Sequence, residues 1–152
     1  RVFNNLCVHL KGMIPPVPGT LPQLEEDVQV DGNVHWDIVN PKKPAAELAR
    51  FRRSPLFRKT RKRHLAGWEA RSRGGDPRFV VFKPDPWATN DYRLQPGSAA
   101  IGAGIPLPAD FEDPDRPAKG KRPDAGAIPF GSQPFQPGRS KEVFAWLEKG
   151  GA

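Results

Sequence analysis

The tightest local constraint in this chain is the tetrapeptide Gln95-Pro96-Gly97-Ser98, followed at once by the small residues Ala99, Ala100, Gly102, Ala103 and Gly104. Pro at the second position and Gly at the third specify a type II turn, because the ring fixes φ and only Gly enters the left-handed region without a steric penalty. Residues without bulk then let two backbone segments approach to the ordinary interstrand spacing of about 4.8 Å. Asp76-Pro77 and Asp124-Ala125-Gly126 carry the same kind of signal, an Asp that accepts nearby backbone N–H groups beside a residue that sets φ. The stretch 91–131 therefore specifies a structural ending and holds no recognisable catalytic centre.

Upstream, Val2 to Leu10 reads as a short strand, or as two joined at Asn4-Asn5. That Asn pair is open to two readings, an exposed turn or side chains that bond the backbone of their own and neighbouring segments. Four prolines and two glycines make 11–23 a loop. Residues 27–39 alternate on either side of Asp31-Gly32-Asn33, which fits a hairpin or two strands meeting at a corner. A dense apolar strand follows at 78–82. With 19 Pro and 15 Gly in 152 residues, a compact self-sufficient core is not expected, yet the apolar residues gather in strand-like runs. The expectation is a loop-rich folded chain.

Pro44 to Arg53 has a helical start and places Leu48 and Phe51 on one face. Pro55 ends that helix, since it disfavours a helical residue before it. A second helix is expected near the C-terminus, where Ser140 precedes a segment with Val143, Phe144 and Leu147 on one side. Between Arg50 and Arg63 stand eight Lys or Arg residues and no acid, so the net charge of +7 is local to that window. The chain begins at Arg1 without a leader sequence and contains no apolar run of membrane-spanning length, which suggests a fragment or processed piece.

Taken in order, NNL, DGNVHW, GWEARS, DPRFV, DYRLQPGSAAIGAG, a D-R-P turn and PDAGA resemble the C-terminal part of secreted bacterial right-handed parallel β-helix proteins. That group includes polysaccharide lyases, glycoside hydrolases and many uncharacterised members. The resemblance covers most of 1–131. It departs from the usual pattern at Ala99 and Gly102, where Pro and Asp are common, and at Pro129-Phe130, where an aromatic-Glu pair is common. It implies an all-β fold made of the terminal coils of a solenoid, with a helical and basic insertion at 40–66 and a Pro-rich linker and capping helix at 132–152. The cap would shield strand edges that otherwise invite aggregation. Phe144 and Leu147 are the expected covering residues.

The implied function is the C-terminal portion of a secreted, periplasmic or cell-surface carbohydrate-active protein, supplying the cap and contacts to an acidic polysaccharide. Upstream coils of the same parent chain are the implied partner. A non-catalytic adhesive β-helix is the alternative, and a basic nucleic-acid-binding piece is a third, less favoured because only Phe51 and Phe57 are interleaved with the cations.

The residues themselves give no catalytic set, cofactor motif or metal site. The acids Asp110, Glu112, Asp113 and Asp115 read as a solvated turn, since Pro114 interrupts any spaced ligand loop. Cys7, alone and flanked by Leu6 and Val8, reads as an inward thiol. The candidates for substrate contact are His35 beside Trp36, and Trp68 with Glu69 and Arg71: imidazole transfers protons near neutrality, and indole stacks on sugar rings. Against each stands a packing role. Arg61, Lys62 and Arg63 are the candidates for a polyanion.

Overall fold

The computed structural model describes residues 2–11, 28–85, 87–107 and 121–132. In chain order these form strands β1 (Val2–Phe3), β2 (Leu6–His9), β3 (Val30–Asp31) and β4 (Val34–Asp37), helices α1 (Lys43–Arg52) and α2 (Pro55–Arg63), and strands β5 (Arg73–Gly74), β6 (Phe79–Val81) and β7 (Asp91–Leu94). β1 pairs with β3 in parallel, and β2, β4 and β5 form a parallel three-stranded sheet in that order. In the second sheet Cys7 lies opposite His35, and His9 opposite Asp37. β3 and β4 do not pair with each other, so 27–39 is two strands at a corner, with Gly32 in the left-handed region at φ 70°.

The expected β-helix architecture is not what the chain forms. Among the described residues the strands fall into three separate small sheets, no closed or solenoid sheet joins them, and β6 runs antiparallel to β7. Two helices occupy the connection from β4 to β5 where a further coil would require strands. The cause is local: Pro44 and Pro55 both stand at helix starts, and Pro84 and Asp85 follow β6 where the chain reverses into β7. The fold mixes short strands with helices rather than being all-β. The capping helix with its Phe144 and Leu147, the linker after 132 and the acids at 110–115 lie outside the described residues.

α1 begins with Pro near its first position and buries Pro44 and Leu48. It sits on β5 because Gly74 has no side chain: a Cβ there would come within 2.6 Å of the Ala45 backbone nitrogen. Ser54-Pro55 does end α1, but it also starts α2, with the Ser54 hydroxyl accepting from Phe57 N–H at 3.1 Å. Most of the basic window is thus helical, because Leu, Arg and Lys are good helix formers once a cap is present. Phe51 and Phe57 meet edge to face at 5.9 Å across the helix pair.

The apolar core is small and lies on one face of the central sheet. Val34, Leu94, Ala100, Ala103 and Ala125 are buried together, with Leu6, Phe79, Ala99 and Ile101 packed around them. The type II turn is present, with Ser98 N–H donating to Gln95 carbonyl at 3.1 Å and Gly97 at φ 80°. Asp124 accepts from Gly102 N–H at 2.6 Å and from Phe130 N–H at 2.7 Å, which pins the small-residue run to the last described segment. Asn4 binds both backbone groups of Ile105, at 2.7 and 2.9 Å, so the Asn pair is a backbone clamp rather than an exposed turn. Among the described residues no helix is long and apolar enough to cross a membrane.

Candidate functional site

Side chains alternate across a strand, so the face of β2 and β4 opposite the apolar core receives Cys7, His9, His35 and Asp37. This face is polar and closed: His35 is 4% exposed and Asp37 wholly buried. Asp37 Oδ1 accepts from the backbone N–H groups of Val39 and Asn40, both at 2.9 Å, which turns the chain toward α1. The two imidazoles lie nearly parallel, at 19°, and His9 Nε2 is 3.2 Å from His35 Nδ1. On the other side of His35, Nε2 is enclosed 3.4 Å from Glu69 Oε1, at ion-pair distance but without the alignment of a hydrogen bond.

Glu69 reaches this place from the loop after α2. Its backbone is in the left-handed region at φ 52°, a conformation that costs about 1–3 kcal/mol outside Gly and persists only where neighbours enforce it. They do so here at both ends of the residue. Glu69 N–H donates to Val30 carbonyl at 2.6 Å, and the Arg52 guanidinium donates to Glu69 carbonyl through Nε at 2.9 Å and Nη2 at 2.8 Å, with a further bond to Ser72 carbonyl. Arg52 therefore fixes the loop rather than contributing to a cationic surface. The Glu69 carboxylate is 1% exposed and also approaches Asn33 Nδ2 at 3.5 Å.

The tautomers follow from these partners. A carboxylate facing His35 Nε2 favours a proton on that nitrogen, leaving His35 Nδ1 as the acceptor for His9 Nε2–H. His9 then carries its lone pair on Nδ1. A chain of groups results, from a buried carboxylate through a buried imidazole to a partly exposed one. Burial pushes His9 below the ordinary histidine value, with His35 and Lys43 acting the same way and Asp37 opposing them. His9 is consequently a neutral base near pH 7. Burial, assisted by Glu69, pushes the Cys7 thiol up, which keeps it protonated and a poor nucleophile.

Of the residues singled out in the sequence, His35 and Glu69 lie in this chain of groups. Trp36, its neighbour, points to the opposite face, where its ring meets Phe82 at 5.1 Å and Phe79 at 6.3 Å. Trp68 is buried, with its indole N–H bonded to Val28 carbonyl at 2.6 Å, which makes it a packing residue. Arg71 binds Asp31 through its backbone N–H at 2.7 Å and its guanidinium at 2.6 Å, yet its side chain remains 49% exposed. Arg61, Lys62 and Arg63 lie in the last turn of α2. The sequence groups Glu69 with Trp68 and Arg71 rather than with His35, and gives no signal for His9.

A groove of about 1100 Å³ opens beside the apolar face and is lined by Leu6, Val8, Phe79 and Tyr92 among others. Its carboxylate, Asp124, is engaged by two backbone N–H groups, so we place the chemistry at His9 and not in this groove. Among the described residues no group of three His, Cys, Asp or Glu side chains is arranged to hold a metal ion. Compared with protein-family models, curated proteins and solved structures, the chain matches none of them.

Proposed function

We propose that the chain carries a general acid–base site in a carbohydrate-active protein, with His9 meeting the substrate and His35 and Glu69 behind it. The supporting observation is the continuous spacing of 3.2 Å and 3.4 Å that links His9 to the buried Glu69 through both ring nitrogens of His35. When His9 takes a proton on Nδ1, its Nε2–H polarises His35 and the charge is stabilised by the carboxylate, as in other carboxylate-oriented imidazoles. His9 is the catalytic residue. His35, Glu69 and Arg52 position it. The carbohydrate substrate is supported by the ordered resemblance from NNL to PDAGA, and proton abstraction beside a uronate carboxyl is the reaction to which a neutral base is suited.

The test is incubation of the chain with uronic-acid polysaccharides, followed by the absorbance of unsaturated products and by reducing ends. Turnover is expected, with a loss of about 10²–10⁴-fold in His9→Gln, the usual contribution of a positioned acid or base. Glu69→Gln should lose less and shift the pH profile. Equal turnover in wild type and His9→Gln, or none in wild type, would contradict the proposal.

A further inference from the structure

A second polar region lies away from His9, where α2 meets the loop that follows it. Thr60 is the buried residue of α2, its hydroxyl donating to Phe57 carbonyl at 2.9 Å and accepting from Trp68 N–H at 3.2 Å. With Thr60 turned inward, helical spacing puts Arg58, Arg61 and Lys62 on the outward face, and all three are exposed. No acid occurs between Glu47 and Glu69. Like charges three and four residues apart each oppose the helix by a few tenths of a kcal/mol.

This face adjoins a pocket of about 150 Å³ lined by His64, Gly67, Trp68, Arg71 and Asp31 among others. The link is Arg61, whose Cβ lies close enough to Gly67 that a side chain there would stand 3.3 Å from it. Within the pocket, Asp31 is neutralised by Arg71 at 2.6 Å, while the Arg71 side chain stays half exposed. His64 Nε2 is enclosed and has no hydrogen-bond partner among the described residues. The region thus combines a cationic helix face, a half-exposed guanidinium and a buried nitrogen without a partner.

We infer that α2 and the adjoining pocket bind an acidic polysaccharide, with one acidic sugar unit at Arg71 and His64 and the following charges along Arg61, Arg58 and Lys62. Nucleic acid fits less well: Phe51 and Phe57 pack on each other, and Trp68 is buried, which leaves no stacking platform for bases beside the cations among the described residues. The inference is independent of the proton site, because it is read by binding and not by turnover.

The probe is polygalacturonate, with dextran as a neutral polymer and a single-stranded DNA oligomer as the competing class, each titrated against salt. Wild-type chain and His9→Gln should bind polygalacturonate equally and dextran not at all. The triple variant Arg58→Gln, Arg61→Gln, Lys62→Gln should bind at least tenfold more weakly, with a shallower dependence of log Kd on log salt because fewer counterions are released. A charge-matched control, Lys42→Gln, Lys83→Gln, Lys121→Gln, should bind like wild type. If circular dichroism shows that the triple variant loses helix, Arg61→Gln alone replaces it and should weaken binding at least twofold. Failure of wild type to bind polygalacturonate, equal losses in variant and control, unchanged binding in the helical variant, or tighter binding to DNA at matched salt would each overturn the inference.

Discussion

The two faces of β2 and β4 are built from alternate residues of the same two strands, yet they solve opposite problems. Leu6, Val34 and Trp36 meet a core of Leu94, Phe79 and alanines, where burial of apolar surface suffices. Cys7, His9, His35 and Asp37 face a closed region in which each buried polar group requires a partner. The first face is held by shape and tolerates conservative replacement. The second is held by specific contacts, including the 3.4 Å approach of His35 to Glu69, a loop residue in a strained conformation. A polar face this closed gains less stability from burial than an apolar one would, and it pre-positions an imidazole.

The contrast can be broken most strongly on the apolar side. Leu94→Ala removes one of the few large buried side chains and should destabilise the chain by about 3 kcal/mol in urea unfolding, with His9 chemistry intact in the molecules that remain folded. A smaller but more selective effect is expected from Arg52→Met. It deletes the guanidinium bonds to the Glu69 and Ser72 carbonyls, should cost about 1.5–3 kcal/mol, and should loosen Glu69 so that turnover falls beyond what stability explains. Wild-type kinetics in Arg52→Met would separate the loop from the site.

Smaller still are the pH effects of the polar face. His9 is held below its ordinary value of 6.5, so the unfolded chain takes up this proton more readily than the folded one. The linked stability is complete above pH 6.5 and is lost as the pH falls through the folded value; His9→Gln should abolish that acid-side slope in thermal unfolding. Cys7 runs the other way. Its thiol is raised above 9.0, so the linked stability is present below pH 9.0 and is lost as the pH rises through the higher folded value; Cys7→Ala should remove this alkaline decline. Identical pH profiles in wild type and either variant would assign the slope to other groups.

What could be read from the sequence divides along a similar line. The turn at Gln95–Ser98, the turn role of Asp124 and the start of α1 are written in neighbouring residues, whereas the residues around Gly32 fit a hairpin as well as the corner that forms. The solenoid was not there to be found in short-range signals. It came from an ordered likeness, whereas the strands are too short and too often interrupted to form a continuous ladder. Pro55 reads as the end of α1, and the start of α2 there is not legible because Ser54-Pro55 looks the same as the end of one helix and the beginning of another. His35 beside Trp36 suggested a pair, but adjacent residues on a strand point apart. The contacts of His35 with His9 and Glu69 depend on strand register across 26 residues and on a loop held at positive φ, neither of which has a local signature.

The most direct measurement is the ring tautomer of His9 and His35, read from ¹⁵N shifts and long-range ¹H–¹⁵N couplings at about pH 8, above the ordinary histidine range. The expected result is a proton on Nε2 of both rings, with His35 Nδ1 accepting from His9, and loss of that preference at His35 in Glu69→Met. A proton on His35 Nδ1 in the wild-type chain, or an identical pattern in Glu69→Met, would contradict the linkage of His9 to the buried carboxylate.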